Sequence, residues 1–236
     1  MGERVVVVGG TSGMGLAAAQ QLATRRYEVV ISGRSEASVE KALGLIPGER
    51  QGYRLDFADP ASVKAFFDQV GFHDHLALVG SGRAAWGPFG ELTTDALNIA
   101  FREKFFGFFL CAQAALPSIR RDGSILFTTG GASRSAIPGT TGVAAVNGAI
   151  QAMAFTMAKE LAPLRVNILS PGLVDTPAYD GMTSEQKAAF FGQMGGTLPV
   201  GRVGTAEELG QAVAFLIGCS FASGVVLDVD GGGRLH

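Results

Sequence analysis

Val5-Val6-Val7-Val8-Gly9-Gly10-Thr11-Ser12-Gly13-Met14-Gly15, followed at once by the alanine-rich run 16–23, is the stretch that decides the fold. A short β-branched run closed by glycine reads as a buried parallel strand. The alanine-rich segment after it has helical spacing and good helix formers. The glycines therefore sit on a strand-to-helix turn. Missing side chains let backbone N–H groups approach a pyrophosphate there, and the helix N-terminus favours its charge. Gly9, Thr11, Ser12, Gly13, Met14 and Gly15 are the candidate phosphate loop.

Outward from this turn the chain alternates strand and helix with no linker or repeat. Strands are predicted over 28–32, 51–55, 75–79, 124–129, 165–169 and 225–229, and helices over 36–45, 61–70, 93–116, 143–162, 184–194 and 206–217. This pattern predicts an α/β fold: a doubly wound, Rossmann-like parallel sheet of about seven strands, covered by helices on both faces, in one domain spanning 1–236. Ligands of such sheets bind at the carboxyl ends of the strands, so the loops there are where chemistry is expected.

With 19 basic and 21 acidic residues the net charge is −2, which provides no electrostatic reason to expect nucleic acid or an anionic membrane as partner. The two cysteines, Cys111 and Cys219, lack metal-ligand or redox spacing and read as free thiols of a reducing compartment. The first strand begins almost at residue 1, leaving no room for a signal peptide, so a cytoplasmic location is expected. The most apolar long stretch, 143–158, is too short to span a bilayer.

After the second strand stand Ser32-Gly33-Arg34-Ser35. An NAD site usually carries a carboxylate here for the ribose 2′-hydroxyl. Here Gly33 is followed by a guanidinium, which would attract a 2′-phosphate. The cofactor expected is thus NADP(H). Asp56, ending the third strand, is placed either to bond an adenine amino group or to cap the helix near Pro60. His73 and His75 precede the predicted fourth strand, opposite the ligand end, and read as surface residues.

Taken end to end, the chain resembles the short-chain dehydrogenase/reductase family. The glycine turn is similar to that family's T-G-x-x-x-G-x-G loop with Val8 at the threonine. Val79-Gly80-Ser81-Gly82 stands where the family has N-N-A-G, which assigns Gly80 to the cofactor. Glu160-Leu161-Ala162-Pro163, Arg165-Val166-Asn167 and Asp230-Gly231-Gly232 match further stretches. Pro171-Gly172-Leu173-Val174-Asp175-Thr176-Pro177 looks like the loop that holds the nicotinamide carboxamide, implying roles for Pro171, Gly172, Val174 and Thr176.

The resemblance also implies a departure. The family's Tyr-x-x-x-Lys falls on Val143 and Asn147, its serine on Gly130, and its asparagine on Lys104. In the family the tyrosine hydroxyl supplies a proton while hydride passes to or from the nicotinamide, and the lysine lowers the phenol's pKa from about 10. Valine can do neither. Lysine and asparagine have exchanged places, so Lys104 becomes the candidate charge of the site, with Asn147 and Thr129 as its polar partners. Tyr179, beyond Thr176, is a further candidate acid. Trp86, Pro88, Phe89, Phe190, Phe191 and Met194 predict an apolar pocket. The apolar helix 143–158 and the phenylalanine-rich 101–110 predict a homo-oligomer, a dimer or by resemblance a tetramer.

Three functions follow as expectations. The first is an NADP(H)-dependent oxidoreductase with a non-standard site, acting on a small, largely apolar carbonyl, alcohol or activated C=C compound. The second is a redox-neutral isomerase, cyclase or dehydratase using the same pocket. The third is a non-catalytic nucleotide-binding scaffold.

Overall fold

The computed structural model describes residues 2–80, 82 and 84–235. Strands β1 (Arg4–Val8), β2 (Glu28–Gly33), β3 (Arg50–Arg54), β4 (His73–Leu78), β5 (Ile119–Thr128), β6 (Arg165–Pro171) and β9 (Val226–Val229) form a seven-stranded, all-parallel sheet in the order β3-β2-β1-β4-β5-β6-β9. The order reverses at β1, and a reversal of this kind opens a crevice above the strand ends. Two short strands, β7 (Val174–Asp175) and β8 (Gly204–Thr205), pair beside it.

The valine run is fully buried and divides its side chains by strand alternation. Val6 and Val8 pack with α3 (Pro60–Val70), α5 (Gly107–Ala115) and α6 (Thr141–Glu160). Val5 and Val7 pack with α1 (Gly13–Thr24), α2 (Glu36–Leu43) and α8 (Ala206–Gly218). Helix α1 lies close against α8: a Cβ on Gly210 would stand 2.7 Å from the Ala17 carbonyl carbon. This contact needs the small side chains of the alanine-rich segment.

The expected sheet and helices are present, with three differences. The helix read over 93–116 is broken into α4 (Thr94–Ala100), a π-helical turn over Phe101–Phe106, and α5. β5 starts at Ile119, five residues before the expected 124, because the polar Arg120-Arg121-Asp122 interrupts the apolar pattern at an irregular register with β4. His73 and His75 are not surface residues: both lie within β4 and are 0% and 2% exposed. β4 begins early because His73 pairs with Ile119 and His75 with Ser124. Internal partners hold the rings: His73 Nδ1 lies 2.9 Å from the Gly71 carbonyl, and His75 Nδ1 2.9 Å from Ser124 Oγ. Burial lowers the pKa of each. Cys111 and Cys219 are both free, and burial pushes the Cys111 thiol up to about 12. No helix of the described residues is long and apolar enough to cross a membrane.

Candidate active site

A cavity of about 700 Å³ opens above the carboxyl ends of the strands around β1. Gly9, Thr11, Ser12, Gly13, Met14, Gly15, Gly33, Arg34, Asp56, Gly80 and Thr176 all line it. Two glycines show why this turn admits no other residue. Gly9 has φ +80°, and a Cβ there would stand 2.0 Å from the Val79 carbonyl oxygen. At Gly15 a Cβ would meet the Gly9 carbonyl oxygen at 2.1 Å. The loop can therefore fold tightly back on the sheet, and the first turn of α1 faces the cavity. Ser12, the residue before α1, makes no side-chain cap. By contrast Ser35, Asp59, Thr93, Thr183 and Thr205 each cap their helices. No Ser12 side-chain cap occupies the first N–H groups of α1, so they are free of a side-chain acceptor on the cavity side, as an anion site at a helix N-terminus requires.

Asp56 is not a helix cap. That role belongs to Asp59, whose Oδ1 accepts from Ala61 N at 3.1 Å, while Asp56 Oδ1 accepts from Ala58 N and borders the cavity. Arg102 and Glu103 of the π-helical turn also line it. Sequence reading missed both, because a regular helix over 93–116 does not predict which of its residues reach the crevice.

Pro171, Gly172 and Val174 do not line this cavity, in contrast to Thr176. Pro171 ends β6. Gly172 packs on Asp230, whose Cα would stand 2.6 Å from a Cβ added there. The Val174 side chain is buried in the α1/α8 core, so only its backbone can serve a ligand. Ser81 lies outside the described residues.

Lys104, Asn147 and Thr129 come together. Lys104 Nζ donates to Asn147 Oδ1 at 2.9 Å and to the Thr129 backbone carbonyl at 3.1 Å. Lys104 is 8% exposed, and burial lowers its pKa from 10.5 to about 8. No carboxylate pairs with it among the described residues. The Asn147 amide occupies the space beside Gly130, where a Cβ would stand 3.2 Å from its Nδ2. The next turn of α6 extends the network: Gln151 Nε2 donates to Ser133 Oγ at 2.8 Å and to Thr129 Oγ1 at 3.4 Å. This arrangement holds one desolvated ammonium against two fixed acceptors.

Tyr179 is elsewhere. Its ring packs with Phe190 and Phe191 at centroid distances of 5.9 and 5.1 Å, in the segment joining β7 to α7 (Ser184–Thr197). Burial raises its phenol pKa, which makes it a weaker acid. Phe191 also carries the Lys187 ammonium 5.6 Å from its ring centre, and Lys187 pairs with Asp175 at 2.6 Å. Met194, Trp86 and Phe89 are exposed, and Phe190 and Phe191 partly so.

Residues 8–234 match the family model described as Enoyl-(Acyl carrier protein) reductase, within the short-chain dehydrogenases. The chain belongs to the short-chain dehydrogenase/reductase family. A relative from Sinomonas cyclohexanicum, cis-4-hydroxycyclohexanecarboxylate dehydrogenase, is 32% identical over 98% of this chain and 96% of its own. A crystal structure of a small-chain dehydrogenase in complex with NADPH superposes with a TM-score of 0.85 at 35% identity, covering all of both chains. An NADPH-bound short chain oxidoreductase from Pseudomonas aeruginosa PAO1, described as containing an atypical catalytic center, has a TM-score of 0.89 at 26% identity over 98% of this chain and 96% of that one.

Proposed function

We propose that this chain is an NADP(H)-dependent oxidoreductase whose reaction is supported by Lys104 rather than by a tyrosine. The observation that carries the reading is the buried Lys104 ammonium bonded to Asn147 Oδ1 and the Thr129 carbonyl. NADPH bound to two solved relatives, and the glycine cavity of this chain, support the cofactor. When bound, NADP(H) supplies or accepts the hydride.

The chain's residues do the rest. Lys104 supplies positive charge and a proton beside the loop after β5. A pKa of about 8 keeps it mostly protonated at neutral pH, yet close enough to that pH for transfer. Asn147 and Thr129 fix the ammonium's direction. Gly130 and Val143 bring no hydroxyl, so the lysine is the strongest donor in this part of the site. A cation here favours substrates whose oxygen gains negative charge during the reaction. That describes a carbonyl, or a C=C bond conjugated to one, and does not describe a cationic acceptor. Trp86, Phe89 and Met194 are exposed and do not line the cavity above β1, but Phe190 and Phe191 cluster with Tyr179 just beyond the cavity-lining Thr176, Pro177 and Ala178, and this apolar cluster favours a small, largely apolar molecule. The dehydrogenase and reductase names of the relatives are consistent with both substrate types.

In this reading residues 1–236 act as one cofactor-binding domain, in the cytoplasm, as a homo-oligomer. Phe106, Phe109 and Phe155 are 52%, 40% and 46% exposed on the π-helical turn, α5 and α6, and a second copy would cover them.

The test is stoichiometry. Purified protein is incubated with NADPH and a panel of apolar ketones, aldehydes and enones, and product and NADPH loss are measured together. One NADPH consumed per product supports the reading. Conversion without NADPH loss would replace it with a redox-neutral enzyme, and tight NADPH binding without any conversion would replace it with a scaffold.

A further inference from the structure

The loop after β2 is contacted by a second arginine that the sequence order hides. Arg54 is the last residue of β3, far from Arg34 along the chain, but Gly33 and Arg54 are register partners on adjacent strands. Strand alternation sets its side. Tyr53 packs edge-on against Phe66 of α3, whereas a Cβ at Gly52 would meet Val39 of α2. Arg54 shares the face of Gly52 and therefore lies on the α2 side, where the loop 34–35 enters that helix. Its Nε donates to the Arg34 carbonyl at 3.2 Å. This bond ties one edge of the guanidinium to the loop. Its Nη groups make no hydrogen bond to the described residues, and neither Arg34 nor Arg54 is in an ion pair among them. Glu36, two residues from Arg34, and Asp56, two residues from Arg54, are in no ion pair with either among the described residues.

Hydroxyls converge on the same spot. A Cβ on Gly33 would stand 3.0 Å from Ser38 Oγ and 3.2 Å from Thr11 Oγ1. Gly33 and Arg34 line the cavity above β1, and Arg54, itself outside that lining, is joined to it through the Arg34 carbonyl.

We propose that Arg54 is a second specificity-determining anchor for the 2′-phosphate of NADP(H), acting beside Arg34; this rests on the cofactor reading above. The chemistry asks for two cations. A phosphate monoester carries close to two negative charges at neutral pH and three acceptor oxygens. One guanidinium covers two of those oxygens and half of the charge. A guanidinium already tied through Nε loses little freedom when its free edge meets an anion.

The experiment measures dissociation constants for NADPH, NADH, 2′,5′-ADP and 5′-ADP by fluorescence or calorimetry. The proteins are the native chain, Arg34→Ala, Arg54→Ala and Arg54→Lys, each checked for an unchanged melting temperature. Arg54 is exposed at a strand end, so these variants are expected to fold. Arg54→Ala should weaken NADPH and 2′,5′-ADP by about tenfold or more, the usual size of a lost charged hydrogen bond, and leave NADH and 5′-ADP within about twofold. Arg54→Lys should recover part of the loss. Equal weakening of phosphorylated and unphosphorylated ligands would make Arg54 only a prop for the Arg34 loop and overturn the inference. So would no weakening at all. If Arg34→Ala abolishes the preference and Arg54→Ala does not, the inference fails while the cofactor reading stands. A native chain that binds NADH as tightly as NADPH would overturn both.

Discussion

Replacing Lys104 with Met removes the charge and the donor while keeping most of the stem's bulk. Two stability effects then oppose each other. Burial has lowered the Lys104 pKa from 10.5 to about 8. A shift of that size means that the buried ammonium costs about 3 kcal/mol at pH 7, and the substitution relieves it. Against this, Asn147 Oδ1 and the Thr129 carbonyl lose their donor. Each unpaired buried acceptor costs roughly 1–3 kcal/mol. The terms offset to within a few kcal/mol, so the variant should fold and still bind NADPH. Turnover should fall about a hundredfold or more, the usual contribution of a general acid.

The pH profile adds an independent readout. Protonated Lys104 is the active form for reduction, so kcat/KM of the native chain should be level below pH 8 and fall above it, with a midpoint near 8. The variant's residual rate should lose that limb. The assay is NADPH oxidation followed spectrophotometrically with the chain's own substrate, from pH 6 to 10. Unchanged turnover, or an unchanged falling limb, would refute the reasoning and turn attention to Tyr179.

Asn147→Asp should give Lys104 a carboxylate partner at the distance now held by the amide, raise its pKa and move the falling limb to higher pH by about one unit or more, measured in the same profile. Arg34→Ala should remove most of a preference for NADPH over NADH of at least about tenfold, measured by fluorescence titration; equal affinities in the native chain would contradict the assignment. Phe106→Glu should dissociate a homo-oligomer that light scattering detects at micromolar concentration, and a native monomer there would end that proposal. His73 and His75 have lowered folded pKa values, so the unfolded chain binds more protons once the pH drops below about 6.5. Stability is therefore present above that pH and lost on acidification: the melting temperature should fall between pH 7 and 5, and His75→Gln should flatten the fall.

The sheet, the glycine turn and the part of the cavity lining around β1 and β2 were legible from residue order because their physics is local. A valine run, a glycine with no room for a Cβ and an alanine-rich helix constrain the chain within about twenty residues of one another, and periodicity records each constraint. Gly33 and Arg34 were legible for the same reason, since the end of a strand is where a ligand must arrive. The polar centre was only half legible. Resemblance named Lys104 and Asn147, but a lysine among Arg102 and Glu103 reads equally well as an exposed helical residue. Its burial comes from helix packing and from the π-helical turn in which it lies, and no one-dimensional pattern encodes either. The histidines failed for the converse reason: polar side chains look like surface until β5 pairs across them and supplies Ser124. Arg54 was invisible because its partner is twenty residues away, at the end of the neighbouring strand. Sequence determined which residues repeat, turn and stay apolar; tertiary structure decided which polar groups lost their water, because desolvation depends on what the rest of the chain places around them.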